Sequence, residues 1–381
     1  MRTFLLTSAL AALALAAPRP QDIEIDAVEA QGLGVADGPP LAAAATAEIP
    51  TYDADAAAAS AAAEITAVAK RRRQASTVSP ITTAITTTTT TIATTTASLT
   101  TTTTATTTSK DPSACTPLPK GSGPVSIPDE AKTFLSDPQY DAISNTADTP
   151  LGYSLAFSGL HGATEGNGYL GYYTLKTYNT IQCQQYCDKT DGCQGFNVYL
   201  ERDPTVNPAP ACKNSASTTT IKCSLWGLQV SATTATNEGQ WRYDFNVVIV
   251  ASNGYNSLAA PGPIDGYTGP IKLGGATQAP LLNGKDTYMG YKYYSGIYNP
   301  SQCTAACSAQ NIYNQKHPRN DGTWDKCIFT NSYVLSKNNV PQGTYCSLYS
   351  DQWTKAVATN YGQYRGSDYY SVSQSYGWAL N

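Results

Sequence analysis

The feature that most constrains how this chain of 381 residues folds is a cysteine frame that occurs twice. Residues 178–187 read YNTIQCQQYC and residues 298–307 read YNPSQCTAAC, so each stretch places two cysteines four positions apart. Four flanking stretches match in the same order: LGY and MGY before the frame, then CQGFN with CIFTN, CSLW with CSLY, and NEGQWR with NYGQYR after it. This self-similarity indicates an internal duplication of about 90 residues per unit.

Each frame carries the signature of a helix start. Asn179 and Asn299 suit the N-cap. Gln182 and Gln302 fall at the third helical position, where a side-chain amide can bond back to the cap. Pro300 occupies the first position, where its missing N–H costs nothing. The two cysteines of a frame then project from one helix face and rarely bridge each other, so we expect each to bond to another element.

The helix of each unit is followed by short apolar stretches that are typical of strands, namely GFNVYL, KCSLWGL, CIFTNSYVL and YCSLY. Four cysteines per unit leave three pairings open. The sequence therefore predicts an α+β fold in which disulfides attach one helix to a sheet, once in each unit.

The N-terminus predicts export. An apolar run, Phe4 to Ala17, follows a basic residue and ends in small residues, which indicates a signal peptide over 1–16. In an oxidising compartment, ten cysteines predict disulfides before metal sites. The two histidines, His161 and His317, are far apart in sequence, so we expect no metal and no cofactor. We expect a secreted protein that is not membrane-bound.

A helix with Cys-x-x-x-Cys, attached by disulfides to two strands, resembles the PAN/apple module, a small antiparallel sheet that cradles one helix in extracellular binding proteins. The resemblance implies nested bridges, and it leaves two cysteines that would pair with each other. The sequence departs from the pattern where Cys187 and Cys193 stand closer together than Cys307 and Cys327. The expected pairs are Cys183–Cys223, Cys187–Cys193, Cys303–Cys346, Cys307–Cys327 and Cys115–Cys212.

The region from Cys115 to Asn381 is also similar to a group of fungal secreted, Tyr-rich duplicated proteins described as carbohydrate-binding-like. The stretches that carry this similarity include LGYYTLKTY, FNVYLERDP, VVIVASNGY, MGYKYYSGIYNPSQC and GQYRGSDYYSVS. The resemblance implies binding and brings no catalytic residues.

The region before the units divides into two parts. Residues 17–73 are Ala-rich and acidic and offer few side chains to bury, so we expect a disordered pro-segment. It ends at Lys70, Arg71, Arg72 and Arg73, which we interpret as the target of a processing protease; the alternative is a plain basic cluster on a disordered tail. Residues 74–114 are rich in threonine and predict an O-glycosylated stalk.

The predicted units span 115–256 and 282–381, joined by a Pro/Gly-rich linker at 257–281. Cleavage after Arg73 would leave 18 basic and 19 acidic residues. A chain so close to neutral argues against nucleic acid or an anionic membrane as its main partner.

The sequence offers little sign of catalysis. No G-x-S-x-G stretch occurs, and neither histidine lies in a recognisable motif. The carboxylates of the folded region, such as Glu165, Asp244 and Asp368, show no pairing typical of a glycosidase. In ERDP, residues 201–204, we expect the charges to support one another on a turn. We therefore predict a protein without enzymatic activity, with a hydrolase as a remote alternative.

Binding is the stronger prediction. Aromatic rings present flat apolar faces on which sugar rings can stack, and an aromatic residue precedes arginine at the same place in both units. The alternatives are that these rings belong to the core and that each arginine packs on its own ring. The candidate ligand-binding residues are Trp226, Trp241, Arg242, Tyr349, Tyr364 and Arg365.

Two hypotheses follow. The first is a secreted binding protein of the fungal wall or secretome that holds extracellular glycans or proteins through both units. The second is a glycosylated structural component of the wall or matrix without a discrete ligand site. Retention on polysaccharides would distinguish the first from the second.

Overall fold

A computed structural model describes residues 21–32, 34, 36–41, 47–76 and 114–381, with side chains described only to residue 65 within the stretch 47–76. The predicted signal peptide lies outside the described residues. So does the predicted stalk, except for residues 74–76 and 114 at its ends. So do the side chains of the basic cluster at 70–73.

The described residues form an α+β structure with two antiparallel sheets. The helices are α1 (Ile25–Gln31), α2 (Ala54–Ser76), α3 (Ala131–Ser136), α4 (Pro138–Asn145), α5 (Thr180–Asp188) and α6 (Pro300–Lys316). The strands of the first sheet are β1 (Tyr153–Leu160), β2 (Tyr169–Leu175), β3 (Gly195–Pro204), β4 (Ser217–Trp226), β5 (Gly239–Arg242) and β6 (Phe245–Ser257). Those of the second sheet are β7 (Tyr267–Lys272), β8 (Tyr288–Ser295), β9 (Phe329–Lys337), β10 (Val340–Tyr349), β11 (Gly362–Arg365) and β12 (Asp368–Leu380).

The two sheets have the same topology. The first has the order β1-β6-β3-β4-β2, with β5 paired to β6. In the second, β12 lies beside β9, β10 and β8 follow, and both β7 and β11 pair with β12. Every strand of one sheet therefore has a counterpart in the other. Strand β7 corresponds to β1 and lies inside the expected linker at 257–281, so part of that linker is the first strand of the second sheet.

The repeated frame forms α5 and α6, and the asparagine before each helix caps it. The Asn179 side chain accepts a hydrogen bond of 2.8 Å from the Gln182 backbone N–H, and the Asn299 side chain accepts one of 2.9 Å from Ser301. The Gln182 amide donates to the Tyr186 hydroxyl at 3.0 Å rather than returning to the cap, because the ring one turn later lies on the same side of the helix.

Five disulfides are present, and they are the five pairs that the sequence analysis anticipated. Their Cα–Cα distances are 5.9 Å for Cys115–Cys212, 5.7 Å for Cys183–Cys223, 5.4 Å for Cys187–Cys193, 5.2 Å for Cys303–Cys346 and 5.5 Å for Cys307–Cys327. Each frame cysteine leaves its helix for a different partner, because parallel side chains one turn apart cannot reach each other.

The acidic N-terminal segment differs from the expected disordered tail. Its described residues include α1 and α2, and Ile23, Ile25 and Val28 are buried against the second sheet. The Ala-rich α2 packs along α6, with Ala61 against the disulfide of Cys303. These side chains are too few to form a core alone, but alanine favours the helix, and the sheet supplies the apolar surface that the segment lacks.

The two units are in direct contact. Leu228 of the first unit forms a buried cluster with Tyr298 and Val334 of the second, and the Tyr298 backbone N–H donates to the Gly227 carbonyl at 2.9 Å. The second frame thus begins at the interface, where Tyr298 both precedes α6 and joins the units.

Candidate functional site

The matched GQWR and GQYR stretches form β5 and β11, the short outer strands of equivalent hairpins. In the first, Trp241 is paired with Asn246 of β6; in the second, Tyr364 is paired with Tyr369 of β12. Trp241 is 69% exposed and Tyr364 is 74% exposed. Because an exposed ring occurs at the equivalent position of both units, the hairpins are the candidate ligand surface.

The arginine that follows each ring has a polar partner. The Arg242 guanidinium donates to the Asn207 side-chain oxygen. The Arg365 guanidinium forms an ion pair with Asp26 of the N-terminal segment. Each hairpin therefore presents an exposed ring on one side of its strand and a bonded arginine on the other, because successive side chains of a strand point to opposite faces.

The other two candidate rings lie inside. Trp226 is buried beside the Tyr169 ring, at 5.4 Å between centroids, and its indole N–H donates to the Ser224 hydroxyl at 3.1 Å. Tyr349 is also buried, with its hydroxyl 2.9 Å from the Thr277 carbonyl oxygen. Both rings occupy equivalent positions and pack the sheets, so we leave them out of the ligand surface.

The second sheet has an aromatic face on the side away from α6. Cys346 bonds to α6, and side chains alternate along β10, so Tyr345 points to the opposite face. There the Tyr345 ring stacks between Tyr333, at 5.0 Å, and Tyr291, at 5.2 Å. Tyr370 lies in the same buried cluster. We call the face formed by these four tyrosines the aromatic face.

Residues 21–31 cover the aromatic face. Ile23, Ile25 and Val28 are buried in its cluster of tyrosines. The Ile23 backbone exchanges two hydrogen bonds with the Gln363 side chain, accepting one at 3.0 Å and donating one at 2.9 Å. The Glu24 backbone N–H donates to the Tyr345 hydroxyl at 3.2 Å. Sequence reasoning missed this contact because it treated the segment by itself.

Charged groups surround the aromatic face. Lys337 lies 3.0 Å from the Glu29 carboxylate and 2.8 Å from that of Asp368, and the Tyr370 hydroxyl donates to Glu29. The hydrogen bonds from Tyr370 and Lys337 lower the pKa of Glu29. At this border the segment therefore supplies the Glu29 carboxylate, and the sheet supplies Lys337 and Tyr370 as hydrogen-bond donors.

The corresponding face of the first sheet contains a buried ion pair. Glu201 and Asp203 share one side of β3, so ERDP is the end of a strand and not the expected turn. Lys222 lies 2.7 Å from the Glu201 carboxylate with both side chains buried, and its ammonium donates to the Pro40 carbonyl at 2.8 Å. The Tyr172 ring lies 5.3 Å from the same ammonium.

Burial and neighbouring charges shift the pKa values of Asp203 and Lys222 in this cluster. Burial raises the pKa of Asp203, and the adjacent Glu201 carboxylate raises it further. Burial alone would lower the pKa of Lys222, but the two carboxyl groups beside it raise the net value. The cluster therefore combines the buried Lys222–Glu201 ion pair with a neighbouring carboxyl group, Asp203, whose pKa is raised.

A separate open cleft of about 670 Å³ lies on the α5 side of the first sheet. Its walls include Ile143, Tyr178, Leu200 and Ile221, with Lys176 among the polar groups. It contains none of the candidate ligand-binding residues.

Neither histidine joins other candidate groups. His161 is exposed, and His317 stacks on Tyr313 at 4.3 Å. Within the described ranges, no group of three or more potential metal ligands converges. In the same ranges, no helix has the length and apolar character needed to cross a membrane.

Comparison of the chain with protein-family models, with curated proteins and with solved structures finds no match.

Proposed function

We propose that this chain is a secreted, non-catalytic binding protein that engages extracellular carbohydrate through two apple-like units. The observation that carries the proposal is the exposure of Trp241 and Tyr364 at equivalent positions of equivalent hairpins. In this proposal each ring stacks on the C–H face of a sugar. Arg242 and Arg365 lie on the opposite side of their strands, where they bond to Asn207 and Asp26.

Duplication suits a ligand with repeated units. Two weak sites on one chain can engage one polymer together, and the second binding event is then intramolecular. A wall polysaccharide presents many identical sites, so modest affinity at each hairpin suffices for retention. The expected export signal and Thr-rich stalk favour a location outside the cell or in its wall.

Retention on insoluble wall polysaccharides tests the proposal. The full chain should be retained, and Trp241→Ala with Tyr364→Ala should release it while all five disulfides stay formed. Ile312→Ala is the matched control, because Ile312 is exposed on α6 away from both hairpins. If the wild-type chain folds normally and no polysaccharide retains it, the proposal fails.

A second candidate is a structural component of the wall, cross-linked through surface tyrosines. The exposed rings of Tyr243, Tyr361 and Tyr364 favour it, because oxidative coupling needs accessible phenols. Covalent retention in wall extracts after detergent and reductant would support this candidate, whereas full extraction would exclude it.

A hydrolase stays a remote alternative. Two carboxyl groups, Glu201 and Asp203, are buried on β3 near Lys222, which bonds to the Pro40 carbonyl of the N-terminal segment. A hydrolase screen of the chain, before and after proteolysis at the basic cluster, would detect activity that covering of this pair suppresses.

A further inference from the structure

We propose that the aromatic face of the second sheet is a binding site for a short acidic peptide with aliphatic side chains, and that the chain's own residues 21–31 occupy it. The inference does not depend on sugar binding. It follows from how the face holds the segment.

The face binds the main chain of its occupant. The Gln363 side chain both donates to and accepts from the Ile23 backbone, and the Tyr345 hydroxyl accepts from the Glu24 backbone N–H. Such contacts are independent of the occupant's side chains. They are typical of a surface that fixes an extended peptide before a helical turn begins.

The face also selects side chains. Ile23, Ile25 and Val28 are at most 4% exposed and pack among the tyrosine rings. Two carboxylates of the segment meet basic groups at the border, Asp26 with Arg365 and Glu29 with Lys337. The preferred ligand is therefore a peptide that alternates aliphatic and acidic residues.

The occupant is attached only by non-covalent contacts and by the chain that follows it. The first cysteine of the sequence is Cys115, so no disulfide joins residues 21–31 to the sheet. The basic cluster Lys70–Arg73 lies between this segment and both units. A cut there would turn the segment from a tethered part of the fold into an exchangeable ligand.

Arg365 lies at the border of the aromatic face, on the same strand as the exposed Tyr364 ring. Its guanidinium pairs with Asp26 while the neighbouring Tyr364 ring stays exposed. Because Tyr364 and Arg365 are consecutive residues of β11 and point to opposite sides of the strand, the aromatic face and the proposed glycan surface are separate.

The test uses the full chain and a labelled peptide with the sequence of residues 21–31, QDIEIDAVEAQ. Ile23→Asp, Ile25→Asp and Val28→Asp together should expel the tethered copy without altering either sheet. This variant should bind the peptide, and the wild-type chain should bind it at least tenfold more weakly, because its tethered copy competes at high effective concentration. A scrambled peptide is the control.

Reversing the charges of Arg365 and Lys337 tests whether these two residues bind the carboxylates of the peptide. Adding Arg365→Glu and Lys337→Glu to the expelled variant should weaken peptide binding at least tenfold, and a peptide with lysine in place of Asp26 and Glu29 should restore it. Trp241→Ala with Tyr364→Ala should leave peptide binding intact even though it abolishes retention on polysaccharide.

Two results would overturn the inference. One is an expelled variant that keeps all five disulfides and native near-ultraviolet dichroism but does not bind the peptide. The other is equal binding by the wild-type and expelled chains, which would place the peptide elsewhere. If the triple variant does not fold, Val28→Asp alone is measured against the same criteria, since Val28 belongs to the segment and to neither sheet.

Discussion

At the scale of single residues, Lys222 shows how much depends on one buried charge. It neutralises Glu201 in a site from which water is excluded. Removal of one member of a buried pair leaves the other uncompensated, so Lys222→Met should lower the free energy of unfolding by about 3–5 kcal/mol. Denaturation in urea measures the loss.

The double variant Lys222→Met with Glu201→Met is the control, because it removes both charges. It should recover most of the stability that Lys222→Met loses. A single variant as stable as wild type would contradict the buried pair.

The lowered pKa of Glu29 predicts how the docking of residues 21–31 responds to acid. Tyr370 and Lys337 hold its pKa below the ordinary value of 4.5, against the opposing influence of Asp368. A carboxyl group whose pKa is lowered by docking stabilises the docked segment when the pH is above the ordinary pKa of that group. This contribution is lost as the pH falls through the pKa of the docked state. Hydrogen exchange of α1 should therefore accelerate below about pH 4 relative to pH 6, beyond the intrinsic effect of pH.

Glu29→Gln separates this effect from other acid-sensitive groups. Asp368 also pairs with Lys337, but it belongs to the sheet and is present in both proteins. The variant should show weaker protection of α1 at pH 6 and a smaller change on acidification. An unchanged pH response in Glu29→Gln would rule out this carboxyl as the cause.

At the scale of elements, the disulfides that attach α5 and α6 close loops of different lengths. Cys303–Cys346 spans 43 positions and Cys187–Cys193 spans 6. The chain-entropy model gives about 4 kcal/mol for the first and about 2 kcal/mol for the second. Replacing each pair by alanine and unfolding the products in urea should give this order; a larger cost for Cys187–Cys193 would contradict it.

The elements also show how far the sequence predicts this fold. The frames predicted α5 and α6 because an asparagine cap and the cysteine spacing are local signals, and the duplication was visible in matched stretches. Strand β7 was hidden in a Pro/Gly-rich stretch, because its pairing with β12 is a long-range contact. Helix α1 was missed for the same reason, since Ile25 and Val28 of the helix, like Ile23 before it, are buried by the other end of the chain.

The candidate site was predictable in part. The aromatic-arginine repeat identified the two hairpins, whereas sequence alone could not separate exposed Trp241 from buried Trp226. That difference depends on the register of β4 against β2 and β3, which places Trp226 opposite Tyr169 and Gly195.

At the scale of the whole molecule, one topology is used twice and the N-terminal segment contacts both copies. Lys222 of the first sheet bonds to Pro40 and Gln363 of the second bonds to Ile23, so consecutive parts of the segment cover equivalent faces. The exposed hairpins are left uncovered at their rings. This arrangement separates a covered aromatic face from an open pair of candidate sugar sites.

The most direct test of the proposed function is the affinity of the full chain for whichever wall polysaccharide retains it, measured for wild type, Trp241→Ala, Tyr364→Ala and the double variant. If the two hairpins bind one polymer together, each single substitution should weaken binding at least tenfold and the double should abolish it. Double-variant affinity equal to that of wild type would contradict the assignment of these hairpins as the ligand surface.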